Sequence, residues 1–231
     1  KSARSPVQAE LDTLLSTYRN ERYDDAERLA ISITEQFPHY SYGWKILGAI
    51  FEHIGKKPEA LRAMERSVQL DPKDAQAHSN LGVALQERGK LEEAEASYRK
   101  AISLKVSNAV AHFQLGGALK ALKKLEEAEA SYRKAIALKA DYAAAHSNLS
   151  VTLLDLGRLK EAEISCRQAI SLEFNYAEAR INLGVTLLSL GKFEEAEKSL
   201  RQAITLSPNS AKAHTNLGVT LQELGKFTEA E

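Results

Sequence analysis

The sequence predicts an all-α fold, a right-handed solenoid of stacked helix–turn–helix units, and three observations carry that expectation. The first is a fixed period. Of twelve glycines, ten fall into two series with a 34-residue step. Gly48, Gly82, Gly116, Gly184 and Gly218 form one, with Ser150 in its gap, and Gly55, Gly89, Gly157, Gly191 and Gly225 the other, with Lys123 in its gap. An alanine series runs without a break through Ala26, Ala60, Ala94, Ala128, Ala162, Ala196 and Ala230. Self-similarity at such a period means an array of small supersecondary units. The second observation is that each period holds two helical stripes. In 75–108, His78, Leu81, Gly82 and Leu85 recur at helical spacing, and Leu91, Ala94, Tyr98, Ala101 and Ile102 do so again after Gly89. The third is that all five prolines stand between stripes or at a stripe's start. One hairpin cannot bury its apolar stripe alone, so neighbours must stack.

Taken in order, residues 1–6 read as a linker or tag remnant. There is no initiator Met, so the sequence is expected to begin partway into a gene product or after a removed tag. A single solenoid is expected over 7–231. Its first unit, 7–40, is atypical: Thr13-Leu14 replaces Leu-Gly, and Ala26 and Pro38 carry the match. Unit 41–74 has Trp44 at its first large position, and Pro58 marks the start of its second helix. Units 75–108 and 109–142 share a near-identical second helix, 90–105 against 124–139, differing only at Ser103 and Ala137. Unit 143–176 carries Ser150 for glycine and Cys166 where Tyr98 and Tyr132 stand elsewhere, and unit 177–210 ends with Pro208. A partial unit, 211–231, stops a few residues into its second helix, leaving Leu217, Leu221, Leu224 and Phe227 without the expected partner helix. That end is expected either to continue or to meet another molecule, which includes self-association.

The order Leu81-Gly82, Leu85, Gly89, Ala94, Tyr98, Ala101 and a proline near the period's end resembles the tetratricopeptide repeat. The resemblance covers essentially the whole chain. It implies that the first helix of each hairpin lines a concave groove and that the array recognises other proteins.

Composition narrows the function. With 31 basic and 31 acidic residues the chain carries no formal net charge, which argues against nucleic acid as a partner. No apolar run reaches the roughly 20 residues of a membrane span. The lone Cys166 fits a reducing compartment, so a cytoplasmic location is expected. His78, His112, His146 and His214 recur once per repeat, too far apart on stacked hairpins to converge on a metal whose ligands lie about 2 Å away. They read as packing residues, and no metal or cofactor is expected. The Glu95/Arg99 spacing, repeated at Glu129/Arg133, Glu163/Arg167 and Glu197/Arg201, is that of helix-stabilising ion pairs on a solvated face. Cys166 lacks any activating constellation. The chain is therefore expected not to be an enzyme.

One row calls for a function. Asn80, Asn148, Asn182 and Asn216, with Gln114 in the same slot, precede the Leu-Gly position. Asparagine is a poor helix former, while its amide offers an acceptor and two donors, a match for an extended peptide backbone. This slot resembles the asparagine ladder of the O-linked N-acetylglucosamine transferase repeat domain. The competing reading is an asparagine copied along with a duplicated repeat. Beside the row stand Val83, Gly117, Val151, Val185 and Val219, and further on Leu154 and Leu188 form an expected apolar patch. The carboxylate clamp of chaperone-tail-binding relatives is not matched: Lys45 and Asn80 fit, but Ala49, Val110 and Gln114 do not. The expected function is binding of an extended peptide through the amide row and the valines. Alternatives are a substrate-presenting arm of a larger enzyme, such as a glycosyltransferase, and a self-associating scaffold.

Overall fold

A computed structural model describes residues 6–226 and contains, among them, thirteen α-helices and no strand. The fold is an all-α helical-repeat solenoid, and the helices group into two compact units, 1–107 and 108–231. The seam falls between the third and fourth repeats. Phe227, Ala230 and the expected second helix of the partial repeat lie outside the described residues, as do residues 1–5.

The first unit holds α1 (Gln8–Arg19), α2 (Tyr23–Gln36), α3 (Ser41–His53), α4 (Lys57–Leu70), α5 (Ala75–Gln86) and α6 (Leu91–Leu104). The second holds α7 (Ala109–Ala121), α8 (Leu125–Leu138), α9 (Ala143–Asp155), α10 (Leu159–Leu172), α11 (Ala177–Ser189), α12 (Phe193–Leu206) and α13 (Ala211–Glu223). Odd-numbered helices are the first of each hairpin and even-numbered ones the second. In the second unit each first helix packs on the next, so α7, α9, α11 and α13 make one layer, with α8, α10 and α12 packed against it.

The turn inside each hairpin explains one glycine series. Gly55, Gly89, Gly157, Gly191 and Gly225 all have φ between 71° and 78°, the left-handed conformation that glycine adopts without steric cost. The next N–H reaches back to close the helix end, as Lys90 N–H does to the Leu85 carbonyl at 3.0 Å. Lys123 adopts the same turn at φ 62°, and so does Glu21 at φ 60°. The slot thus extends into the atypical first repeat, where no glycine marks it.

The other glycine series makes room for a side chain rather than for a backbone. A Cβ on Gly82 would lie 2.5 Å from the Tyr98 ring, one on Gly116 2.8 Å from Tyr132, and one on Gly184 2.5 Å from Leu200. Where Ser150 fills the slot, the facing residue is the smaller Cys166, which is fully buried and hydrogen-bonded to Ser150. The two departures from the repeat compensate each other in volume. The alanine series lies in the core: Ala26, Ala60, Ala94, Ala128, Ala162 and Ala196 are all fully buried.

Candidate peptide-binding surface

The histidine register is a structural tie. His78 Nε2 lies 3.1 Å from the Pro72 carbonyl, and His214 Nε2 lies 2.7 Å from that of Pro208. Trp44 Nε1 donates to the Pro38 carbonyl at 3.0 Å, and His146 bonds the Ala140 carbonyl. In every case the partner lies six residues back, in the connection just past the C-cap of the preceding helix. Arg180, in the same register, donates from Nη2 to the Phe174 carbonyl at 2.8 Å. Burial holds the His146 imidazole below its ordinary pKa. Among the described residues no group of three His, Cys, Asp or Glu side chains is placed to hold a metal ion.

The glutamate series corrects the solvated-face reading. Glu95 is only 4% exposed, and the side chains of Glu129, Glu163 and Glu197 are largely covered. Each of these three bonds twice, once to the arginine four residues on and once to a cation of the following repeat. Arg158 reaches Glu129 at 2.6 Å, Lys192 reaches Glu163 at 2.8 Å and Lys226 reaches Glu197 at 2.8 Å. In the first unit, Lys56 meets Glu27 at 2.5 Å with the same spacing. These pairs tie repeat to repeat, and the bond to Lys192 leads in holding the Glu163 carboxyl below its ordinary pKa.

The amide row is not uniform. In the first unit Asn80 is half-buried and its Oδ1 accepts from Gln76 Nε2 of the same helix at 2.8 Å. With Val83 it lines a cavity of about 280 Å³ beside Tyr18 and His53. In the second unit Gln114 Oε1 is buried without a hydrogen-bond partner. Asn148 is half-buried and bonds the Tyr132 hydroxyl of α8. The pKa of that phenol is pushed up to about 12 by its burial. Asn216 donates to the Lys212 carbonyl of its own helix at 2.7 Å.

Asn182, which the sequence places in the peptide-binding row, is instead buried. It is 4% exposed, donates to Ser147 Oγ on α9 at 3.1 Å, and accepts from Lys212 Nζ on α13 at 3.2 Å. Its amide therefore spans three successive first helices. The physical reason is that first helices pack on one another, so a flank position on the middle helix can be covered from both sides.

Val151, Val185, Leu154 and Leu188 are half-buried, and Val219 is exposed. Two lysines of the same layer were missed from the sequence. Lys120 Nζ stands 3.9 Å from Asp155, with its pKa lowered by burial, and Lys212 caps Asn182. A signal for Lys212 existed in its slot, which carries Tyr42, Gln76, Val110, Ala144, Glu178 and Lys212 in successive repeats. A position that keeps no residue type across an array is not fixed by packing.

Family models described as tetratricopeptide repeat match residues 11–75, 75–108 and 143–176, and one described as TPR repeat matches 116–157 and 186–225. The chain belongs to the tetratricopeptide repeat family. No curated protein matches it by sequence. Among solved structures, PilW, a widely conserved type IV pilus biogenesis factor, is 19% identical. The likeness has a TM-score of 0.82 and covers 92% of this chain and all of that one. YrrB, a TPR protein with an unusual peptide-binding site, is 21% identical with a TM-score of 0.66, over 80% of this chain and 95% of that one. MamA is 25% identical with a TM-score of 0.65, over 72% and 97%. These likenesses support the fold. The protein is thus a protein–protein interaction module of the tetratricopeptide class, and no described helix is long and apolar enough to cross a membrane.

Proposed function

We propose that the first-helix layer of the second unit binds an extended peptide. The observation that carries this reading is that layer itself. Its four adjoining helices bring together three half-buried amides, Gln114, Asn148 and Asn216, and three valines, Val151, Val185 and Val219. The half-buried Leu154 and Leu188 add an apolar preference, and Lys120 and Lys212 add positive charge. Asn182 serves the surface from below, by holding Ser147 and Lys212 in place. In the first unit Asn80 and Val83 offer the same chemistry beside their own cavity. YrrB, a TPR protein with an unusual peptide-binding site, supports the class of ligand. The likeness to the glycosyltransferase repeat domain rests on the amide slot alone. The array acts by binding, with no catalytic step of its own.

The test is a calorimetric titration with a peptide selected by display against the whole chain. Replacing Gln114, Asn148 and Asn216 together by Ala is expected to weaken binding about 10- to 100-fold, because each lost neutral hydrogen bond removes about 0.5–1.5 kcal/mol. Unchanged affinity in a folded triple variant would remove the amide row from the site.

A further inference from the structure

We infer a second ligand site in the second unit, a cleft on its second-helix side that takes a carboxylate attached to an apolar group. The cleft lies between α10 and α12 over α11 and has a volume of about 500 Å³. Two of its lining side chains depart from the repeat pattern. Phe174 stands where Pro72, Val106, Ala140 and Pro208 stand, and Arg180 where every other repeat after the first carries His or Trp. Lys198 adds a cation in a slot that is not fixed along the array, carrying Arg28, Arg62, Ala96, Ala130 and Ile164 in turn.

Arg180 is the buried cation of the cleft. The tie to the carbonyl six residues back needs only one donor, which a histidine supplies elsewhere. Arginine adds a permanent charge there, 7% exposed. Its Nη1 donates to Gln202 Oε1 at 2.6 Å and Nη2 to the Phe174 carbonyl, while Nε has no partner. A guanidinium has five N–H donors, so most of them are uncommitted. The Phe174 ring, 4.9 Å from Cζ, supplies partial compensation. Among the described residues Arg180 meets no carboxylate, although a buried charge is costly without one.

The rim agrees in sign. Arg167 and Lys198 are cationic, and the one carboxylate lining the cleft, Glu195, is taken by Arg167 at 2.7 Å. Lys198 makes no ion pair among the described residues. Beside the charges, Ile170, Leu183 and Leu187 offer apolar wall, and Phe174 is 76% exposed. A carboxylate seated on Arg180 with its apolar group against Phe174 satisfies both halves of the cleft. The ligand chemistry is that of a peptide's C-terminal apolar residue or of a glutamate flanked by apolar residues.

Three probes separate these sources: acetyl-Gly-Leu-Leu with a free terminal carboxylate, the same peptide as its amide, and acetyl-Leu-Glu-Leu amide. Methyl resonances of Ile170, Leu183 and Leu187 are followed as each is added to the whole chain. A saturable shift with the first peptide assigns terminal recognition, and one with the third assigns side-chain recognition. Either supports the site, provided the carboxylate-free amide gives no such shift. Arg180→His restores the residue of the sister repeats and their carbonyl tie, so it retains the fold. It is expected to weaken binding about 10- to 100-fold, as loss of a charge-assisted hydrogen bond does. Lys198→Ala, at an exposed position, should weaken it less. Equal shifts with the carboxylate-free peptide, undiminished binding by Arg180→His, or no shift at about 10 mM peptide would overturn the assignment.

Discussion

At the scale of single residues, the informative positions are those where one repeat differs from its sisters. Lys123 holds a left-handed turn that glycine holds in five other repeats. That conformation costs a side-chain-bearing residue roughly 1–2 kcal/mol, partly offset by glycine's larger unfolded-state entropy. Lys123→Gly is therefore expected to stabilise the protein by about 0.5–1 kcal/mol, read from urea unfolding midpoints; a loss would mean the lysine makes a compensating contact. His146 gives a pH prediction. Its folded pKa is depressed by burial, outweighing the opposite influence of the Ala140 carbonyl. The sign follows: its contribution is complete above the ordinary histidine value of 6.5 and is lost as pH falls through the lower folded value. Unfolding midpoints taken from pH 8 to 5 should fall more steeply in the parent than in His146→Gln. Asn182→Ala should destabilise by about 1–3 kcal/mol, because Ser147 and Lys212 lose a shared partner. A neutral result would return that amide to the surface.

At the scale of the helix, the sequence showed element type and order clearly, because 34-residue registration repeats the same evidence several times over. It could not show which neighbour a flank residue meets. The glutamates illustrate this. Spacing within one helix exposed the pairing of Glu163 with Arg167, whereas the bond to Lys192 comes from the next repeat and has no local signature. The glycine beneath the second helix is another case. Its periodicity was plain, but that it accommodates a ring or a leucine follows only from the packed hairpin. Gly184→Ala should force the Leu200 side chain to move and cost about 1–3 kcal/mol. An exposed change on a neighbouring hairpin, Glu126→Ala, should stay within about 0.5 kcal/mol. Similar shifts in thermal midpoint for the two would contradict the register assigned here.

At the scale of the whole molecule, each unit joins a first-helix layer to second helices, and function is read from what those helices leave uncovered. The valine row was legible because it repeats. Asn182 and the cleft of the second unit were not, since one depends on helices covering a flank from both sides and the other on what Phe174 and Arg180 meet once the hairpins pack. The first-helix layer of the second unit is proposed to receive an extended peptide. Methyl-group NMR of the whole chain, titrated with a display-selected peptide, tests it most directly. The expected result is saturable shifts at Val151, Leu154, Val185, Leu188 and Val219 together. Shifts confined to methyls of the second helices, such as Ile136, Ile164 and Ile170, with the five unmoved, would contradict it.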